Sequence, residues 1–185
     1  MLGKLATEVA IEYPDLLAAP VLTALRTWPP DAPVGVEAVL VAPIDPELAD
    51  TAAFCAAYDV GVDASANCVV ITGKRDGQAR YAACVVLATT RADVNGLARR
   101  HLDVRKASFA PMAEAVELTG MEYGGITALG LPPGWPILVD AAVAATDAVV
   151  IGSGVRHSKI VLPGSVLAHL PAALVVENLG VPIPA

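Results

Sequence analysis

Aromatic residues are scarce in this sequence: two Trp, four Tyr and two Phe among 185 residues, 4% in all. Ala and Val carry most of its 55% hydrophobic content and its positive mean hydropathy of +0.59. A chain this apolar is not disordered, and its length suffices for one domain with a real core. The composition favours a compact α/β body. Cysteine is equally sparse. Cys55, Cys68 and Cys84 are odd in number and widely spaced, without a Cys-x-x-Cys pair. That speaks against a disulfide framework or a metal and for buried free thiols in a reducing cytosol. No uncharged apolar run reaches the roughly 18 residues that span a bilayer; Asp140 and Asp147 interrupt the best candidate. Glu8 and Glu12 stand where a signal peptide needs its apolar core, so no export and a cytoplasmic location are expected.

Familiar catalytic signatures are missing too. Gly152-Ser153-Gly154 lacks the third glycine of a dinucleotide fingerprint, and a strand-like segment follows where a helix must begin. Ser153 does not sit in a Gly-x-Ser-x-Gly elbow, which argues against a serine hydrolase. His101, His157 and His169 have no metal-ligand spacing, so neither metal nor cofactor is expected. His157 keeps some interest because it follows the glycine turn. Positive charge is outnumbered, 12 Lys and Arg against 19 Asp and Glu, for a net −7. It is also unevenly spread: residues 64–113 hold 8 basic and 3 acidic side chains, residues 1–63 only 2 against 10. An acidic protein can still bind a polyanion through one basic face. Lys74, Arg75, Arg99, Arg100 and Arg105 are the candidates for such a face, ordinary solvated charge being the alternative.

Glycine is what the chain has, concentrated between Leu118 and Leu162. Gly120, Gly124, Gly125, Gly130 and Gly134 fall within fifteen residues, with Pro132 and Pro133 among them. Each glycine costs a helix about 1 kcal/mol against alanine, so this span reads as a long ordered loop whose backbone lines something. Two β-branched runs follow, Pro136 to Val139 and Ala148 to Ile151, and both have the length of buried strands. The second ends in Gly152-Ser153-Gly154. Two glycine segments at the ends of neighbouring strands predict a pocket floored by bare N–H groups. Asp140 closes the first strand, either as a cap for the next turn or as a pocket residue. Lys159 follows the second turn and is placed to offer a charge to the pocket or to solvent.

Elsewhere the pattern predicts helices over Leu2–Ile11 and Leu16–Arg26, the second capped by Asp15 and closed by Trp28-Pro29-Pro30. Residues 1–33 then read as an appended N-terminal helical extension to a single domain spanning 1–185. A strand is expected at Val36–Val41, and a helix from Pro46 or Glu47 through Tyr58, with Leu48, Thr51, Ala52 and Cys55 on one side and Gly61 ending it at positive φ. Asn67–Thr72 and Tyr81–Ala88 form a hairpin around Gly73-Lys74-Arg75-Asp76-Gly77. Asp93 caps a short helix through His101, Val104–Phe109 is a strand, and Pro111 opens a helix ending at Leu118. Ser158–Leu162 is the final strand, Pro163 to Leu170 a short helix, and the tail from Val176 irregular.

The order Thr119-Gly120, Gly124-Gly125-Ile126, Gly130-Leu131-Pro132, Asp140 and Gly152-Ser153-Gly154 resembles the YbaK family, the prolyl-tRNA-synthetase-associated or aminoacyl-tRNA-editing domain. A weaker match extends upstream to about Ala49 and brings the likeness to about two-thirds of the chain. Two departures stand out. The family's Pro-Phe is Ala128-Leu129 here, and Asn67 occupies the place of the lysine that opens the first core strand in deacylases.

The resemblance implies an α/β fold, a mixed twisted sheet of six or seven strands with helices around it. It implies trans-editing: hydrolysis of the ester joining a wrong amino acid to its tRNA, with no cofactor and no protein nucleophile. In the family, loop N–H groups hold the carbonyl and its developing oxyanion, and the terminal ribose hydroxyl assists the attacking water. By that likeness Gly124, Gly125, Gly152 and Gly154 form the cradle, with Asn67 at the lysine position and Ile126, Leu129 and Trp135 as pocket walls. Asp140, Ser153, His157 and Lys159 are further substrate-binding candidates, and aminoacylated tRNA the expected partner. A synthetase companion is a further candidate, and monomer and homodimer both stay open. Because asparagine brings a neutral amide where lysine brings a point charge, two alternatives stand beside catalysis. One is a weakly hydrolysing binding module for the aminoacyl end; the other is a small-molecule binder or hydrolase on the same fold. The expectation is a weak deacylase that Asn67→Lys accelerates, unless Lys159 or Arg156 supplies the charge.

Overall fold

The computed structural model describes residues 2–183 as a mixed α/β fold. In chain order the elements are β1 Glu8–Val9, α1 Ala19–Arg26, β2 Leu40–Pro43, α2 Thr51–Tyr58, β3 Ala66–Arg75, β4 Gln78–Leu87, β5 Thr90–Ala92, α3 Arg99–Leu102 and β6 Ala107–Phe109. Then come α4 Met112–Thr119, β7 Ile137–Asp140, α5 Ala141–Ala144, β8 Val149–Gly152, β9 Ser158–Leu162, α6 Gly164–Ala168, β10 Ala173–Val176 and β11 Gly180–Pro182. Among the described residues no helix is long and apolar enough to cross a membrane.

The mixed α/β class matches the expectation, but the strands divide between sheets. One sheet has the order β10-β7-β4-β3-β6, parallel on both sides of β7 and antiparallel elsewhere. The other is antiparallel, in the order β1-β2-β9-β8, and β11 pairs with β5 alone. The predicted neighbours β7 and β8 therefore lie in different sheets. Asp140 is the reason: its carboxylate accepts the Ala142 N–H at 2.8 Å and caps α5, which turns the chain away before β8 begins. Among the described residues a single backbone bridge joins the sheets, between Ser65, just ahead of β3, and Val150 of β8.

Branched aliphatic side chains from both sheets, Val41, Val85, Val139, Ile151, Ile160 and Leu162, are buried together under Val21 and Leu25 of α1. Each such side chain contributes about 1.5–3 kcal/mol when fully buried. Among the described residues up to 33 there is one α-helix, not the expected two. Glu8–Val9 is a strand because the edge of β2 offers it unpaired backbone groups, and Ala10 N–H goes on to donate to Val39 O at 2.9 Å. Helix α1 starts at Ala19 with Pro20 in its first turn, and Asp15 makes no cap.

Other boundaries also move. Asp45 caps a separate turn at Pro46–Leu48, so α2 begins only at Thr51 and buries Phe54 and Cys55 while Ala52 stays exposed. Asp59, with φ of 56°, ends it in place of Gly61. The hairpin strands run through Lys74 and Arg75, leaving only Asp76-Gly77 as the turn, with φ of 52° and 79°; that is the two-residue turn whose twist suits a hairpin. The strands expected at Val36–Val41 and Val104–Phe109 start late, at Leu40 and Ala107. The tail expected to be irregular is a strand at Gly180–Pro182, which pairs with β5, since Pro182 sits at a strand end where its missing N–H costs little; residues 184–185 lie outside the described residues.

Candidate active site

Four elements converge where the two sheets touch. The start of β3 brings Ser65 to Val70, the end of β8 brings Val150 to Gly152, the first turn of α2 brings Thr51 with Asp50 ahead of it, and the glycine loop brings Tyr123, Gly124 and Ile126. Lys159 of β9 lies opposite Gly152 in the sheet and completes a cavity of about 420 Å³, with Phe109 and Met112 at its rim.

The two glycine segments do face each other, through backbone contact. Gly154 N–H donates to Gly125 O at 2.8 Å, and Glu122 N–H donates to Gly154 O at 2.8 Å. A Cβ on Gly152 would sit 2.3 Å from Gly125 O, and one on Gly125 2.6 Å from Val155 O. These glycines allow two main chains to touch. The expected four-glycine cradle is therefore corrected in part. The Gly125 N–H is used by Glu122 O, the Gly154 N–H by Gly125 O, and Gly154 packs against Ala18 and Val21 outside the cavity. Among the described residues, the N–H groups of Tyr123, Gly124 and Ile126 donate to no protein acceptor, and all three residues line the cavity.

Two cations flank that backbone. Lys159 is 8% exposed; its Nζ donates to Ala49 O at 2.9 Å and lies 5.4 Å from the centre of the Phe54 ring. Burial pulls its pKa below the ordinary lysine value, the Arg156 charge pulls the same way, and Asp50 and Cys55 oppose them. Arg156 clasps the glycine loop to the segment before α2. Its guanidinium donates to Tyr123 O at 3.3 Å and Pro46 O at 3.0 Å and stands 3.9 Å from Asp50. It also occupies the space a side chain on Gly124 would need, 2.4 Å from the position of a Cβ. Asn67 is half-buried on the cavity wall. Its Oδ1 accepts the Thr51 hydroxyl at 2.7 Å, and among the described residues its Nδ2 donates to no protein group. Cys68 is the one thiol at the cavity, and burial, reinforced by Cys84, pushes its pKa up to about 12. A thiol raised in this way is a poor nucleophile at neutral pH. Such a site can hold a carbonyl through backbone N–H groups and place positive charge beside it.

The family model described as the aminoacyl-tRNA editing domain matches residues 45–170. The chain belongs to that family. Among solved structures, a candidate trans-editing enzyme for prolyl-tRNA synthetase is similar at 22% identity and a TM-score of 0.69, covering 86% of this chain and 94% of its own. A scaffold from a computational study of epitope backbone grafting gives 21% identity, a TM-score of 0.70 and 90% and 97% coverage. A hypothetical protein gives 20% identity, a TM-score of 0.66 and 76% and 90% coverage. At these identities the likeness shows the fold alone. No curated protein sequence matches the chain.

The editing-domain cavity gathers Asn67, Gly124, Ile126, Gly152 and Lys159 from the residues singled out in the sequence, and leaves the others outside. Leu129 is buried and lines a second, apolar cavity of about 320 Å³ beside Trp28, because the later half of the glycine loop turns back against α1. Trp135 stacks on Tyr81, ring centres 4.9 Å apart. Asp140 is occupied by Ala142 N–H and, at 2.5 Å, Gly180 N–H. The fully buried Ser153 hydroxyl lies within bonding distance of Val155 O and Ser158, and His157 Nε2 lies 3.0 Å from Asp15 O.

Of the basic candidates, Lys74, Arg75 and Arg105 surround a hollow at the hairpin tip together with Asp76, whose carboxylate stands 3.6 Å from Arg75. Arg75 is paired with Asp103 at 3.0 Å, and Arg99 is held by Asn95 O and Arg105 O at 2.9 and 3.2 Å, while Arg100 is exposed. Among the described residues no cluster of three or more His, Cys, Asp or Glu is placed to hold a metal. The sequence reading missed Thr51, Phe109, Met112 and Tyr123. Thr51 has no local signal, since only the fold brings it to Asn67 across sixteen residues.

Proposed function

We propose that this chain is a deacylase that hydrolyses, in trans, the ester of a mischarged tRNA and so guards translation fidelity in the cytoplasm. The supporting observation is the cavity wall itself: the N–H groups of Gly124 and Ile126, which donate to no protein acceptor among the described residues, line one cavity with a neutral donor, Asn67, and a buried cation, Lys159, and the thiol there is not activated. In this reading the N–H groups hold the ester carbonyl, Asn67 Nδ2 adds a hydrogen bond, and Lys159 stabilises negative charge that develops on the oxygen. Water attacks, aided by the free hydroxyl of the terminal ribose. The whole chain acts as one unit, because α1 forms part of the core. A synthetase is a further candidate partner.

One observation favours a second reading. Asn67 carries no charge where deacylases of this type are expected to carry lysine, and that suits a module that grips an aminoacyl end without releasing it quickly. Single-turnover hydrolysis of a panel of mischarged tRNAs separates the two. Accelerated release of one amino acid supports editing; tight binding with no acceleration on any member overturns it in favour of the binding module.

A further inference from the structure

Aromatic side chains are rare in this protein, and most are at least half-covered. Phe54 is buried, and Trp28, Tyr58, Tyr81 and Trp135 are partly covered. The two most exposed, Phe109 and Tyr123, are each 60% accessible, and both line the same cavity, with Met112 beside them at 57%. A chain with so few aromatic groups has placed two of them, with a methionine, in water around one mouth. Neither ring serves the core. Phe109 is the last residue of the edge strand β6, opposite Ile71 of β3, and Tyr123 is in the turn that Arg156 fixes by donating to its carbonyl.

Phe109 also belongs to a line of features along one sheet edge. Asn67 is in the cavity near the start of β3; four residues on, Ile71 faces Phe109; Gly73 faces Ala107, preceded by Lys106 and Arg105; and the strand ends at Lys74 and Arg75. At about 3.4 Å per residue along β3, Phe109 lies roughly 14 Å from the Asn67 register and the basic tip a further 10–14 Å beyond. Cavity, Phe109 and basic tip thus follow one another in a single direction, and Tyr123 reaches the same cavity from the glycine loop.

We propose that Phe109 and Tyr123 form a stacking platform for the unpaired nucleotides next to the esterified ribose, so that a single-stranded RNA 3′ end runs from the cavity across the rings toward the basic tip. The inference rests on the editing reading above. The physical fit is that every base offers a π face to an exposed ring whatever its sequence, and the phosphates that follow meet Lys74, Arg75 and Arg105. A docking face for a protein is the competing occupant, but a basic patch in line with Phe109 and an acyl-sized cavity at the other end favour nucleic acid.

The test compares two non-hydrolysable ligands: an aminoacyl amide of adenosine alone, and the same amide at the 3′ end of a short single-stranded RNA. Phe109→Ala and Tyr123→Ala are each expected to weaken the RNA ligand about tenfold, and the adenosine ligand far less. Tyr123→Phe keeps the affinity. The slope of log affinity against log salt stays at the wild-type value, because no phosphate contact is lost. Equal losses for both ligands would make the rings simple cavity walls and overturn the proposal. Unchanged RNA affinity in the double alanine variant would overturn it too and leave the patch to a protein. Failure of the wild type to bind either ligand would sink the editing reading and this one together, whereas wild-type binding untouched by the variants sinks this one alone.

Discussion

At the scale of single residues, the question is which group supplies positive charge to the reacting carbonyl. Asn67 lacks it, and Lys159 is on the same cavity, held by Ala49 O. Removing a donor to a developing oxyanion costs on the order of 10²–10³ in rate, so Lys159→Met is expected to slow single-turnover deacylation by roughly 10–100-fold while the complex still forms. Asn67→Lys is expected to gain little. It places a second ammonium near Lys159 and Arg156, and it removes the acceptor of the Thr51 hydroxyl. A large gain from Asn67→Lys, with Lys159→Met harmless, would return the role to position 67. The pH profile is a second check. Burial holds the Lys159 pKa below the usual lysine value, so the ratio of wild-type to Lys159→Met rates is full only while the ammonium is charged. It declines as pH rises through that lowered pKa, where the charge is lost. Stability runs the other way: between the lowered and ordinary values the unfolded chain binds the extra proton, so this lysine's contribution to stability improves as pH rises.

At the scale of elements, the glycine loop and the 152–154 turn hold one another through main-chain contact, and this separates glycines that look alike in the sequence. Gly125 has no room: an added methyl would lie 2.6 Å from Val155 O. Gly134 has φ of 82° and nothing within 4 Å of its virtual Cβ. Gly125→Ala is therefore expected to cost about 1–3 kcal/mol by overpacking, and Gly134→Ala about 1 kcal/mol from left-handed backbone alone. Urea unfolding measures both, and equal costs would deny the interlock. The sequence made these segments legible as a pair because glycine density is a local signal. The β-branched runs were legible as strands for the same reason, since Val and Ile at Asn67–Thr72 or Ser158–Leu162 constrain their own backbone. Pairing was not legible. Whether Ile137–Asp140 and Val149–Gly152 share a sheet depends on the Asp140 cap between them, and whether Gly180–Pro182 is a strand depends on an edge ninety residues earlier. The rim was missed because an exposed aromatic in a loop looks, in sequence, like any other apolar residue.

At the scale of the whole molecule, net charge and function pull in opposite directions. A protein of net −7 is repelled by tRNA as a whole, so binding depends on where the positive charges sit. They sit at the hairpin tip, eight residues along β3 from Asn67, or roughly 27 Å at 3.4 Å per residue. That separation places phosphate contacts well away from the ester. The members of the tip are not equivalent. Arg75 is already paired with Asp103, and Arg99 is engaged with Asn95 O and Arg105 O, so substituting either disturbs local structure as well as charge. Lys74 and Arg105 border the hollow with no such tie among the described residues. Lys74→Ala and Arg105→Ala together are expected to flatten the dependence of log affinity for tRNA on log salt by about 2, one per lost phosphate contact. The KM for charged tRNA should rise while single-turnover hydrolysis at saturation holds, because the reacting carbonyl is far from the change. Filter binding across a salt series, with both variants singly and combined, decides the point. A slope that does not move would reduce the tip to solvated surface charge and require tRNA to be gripped from another face.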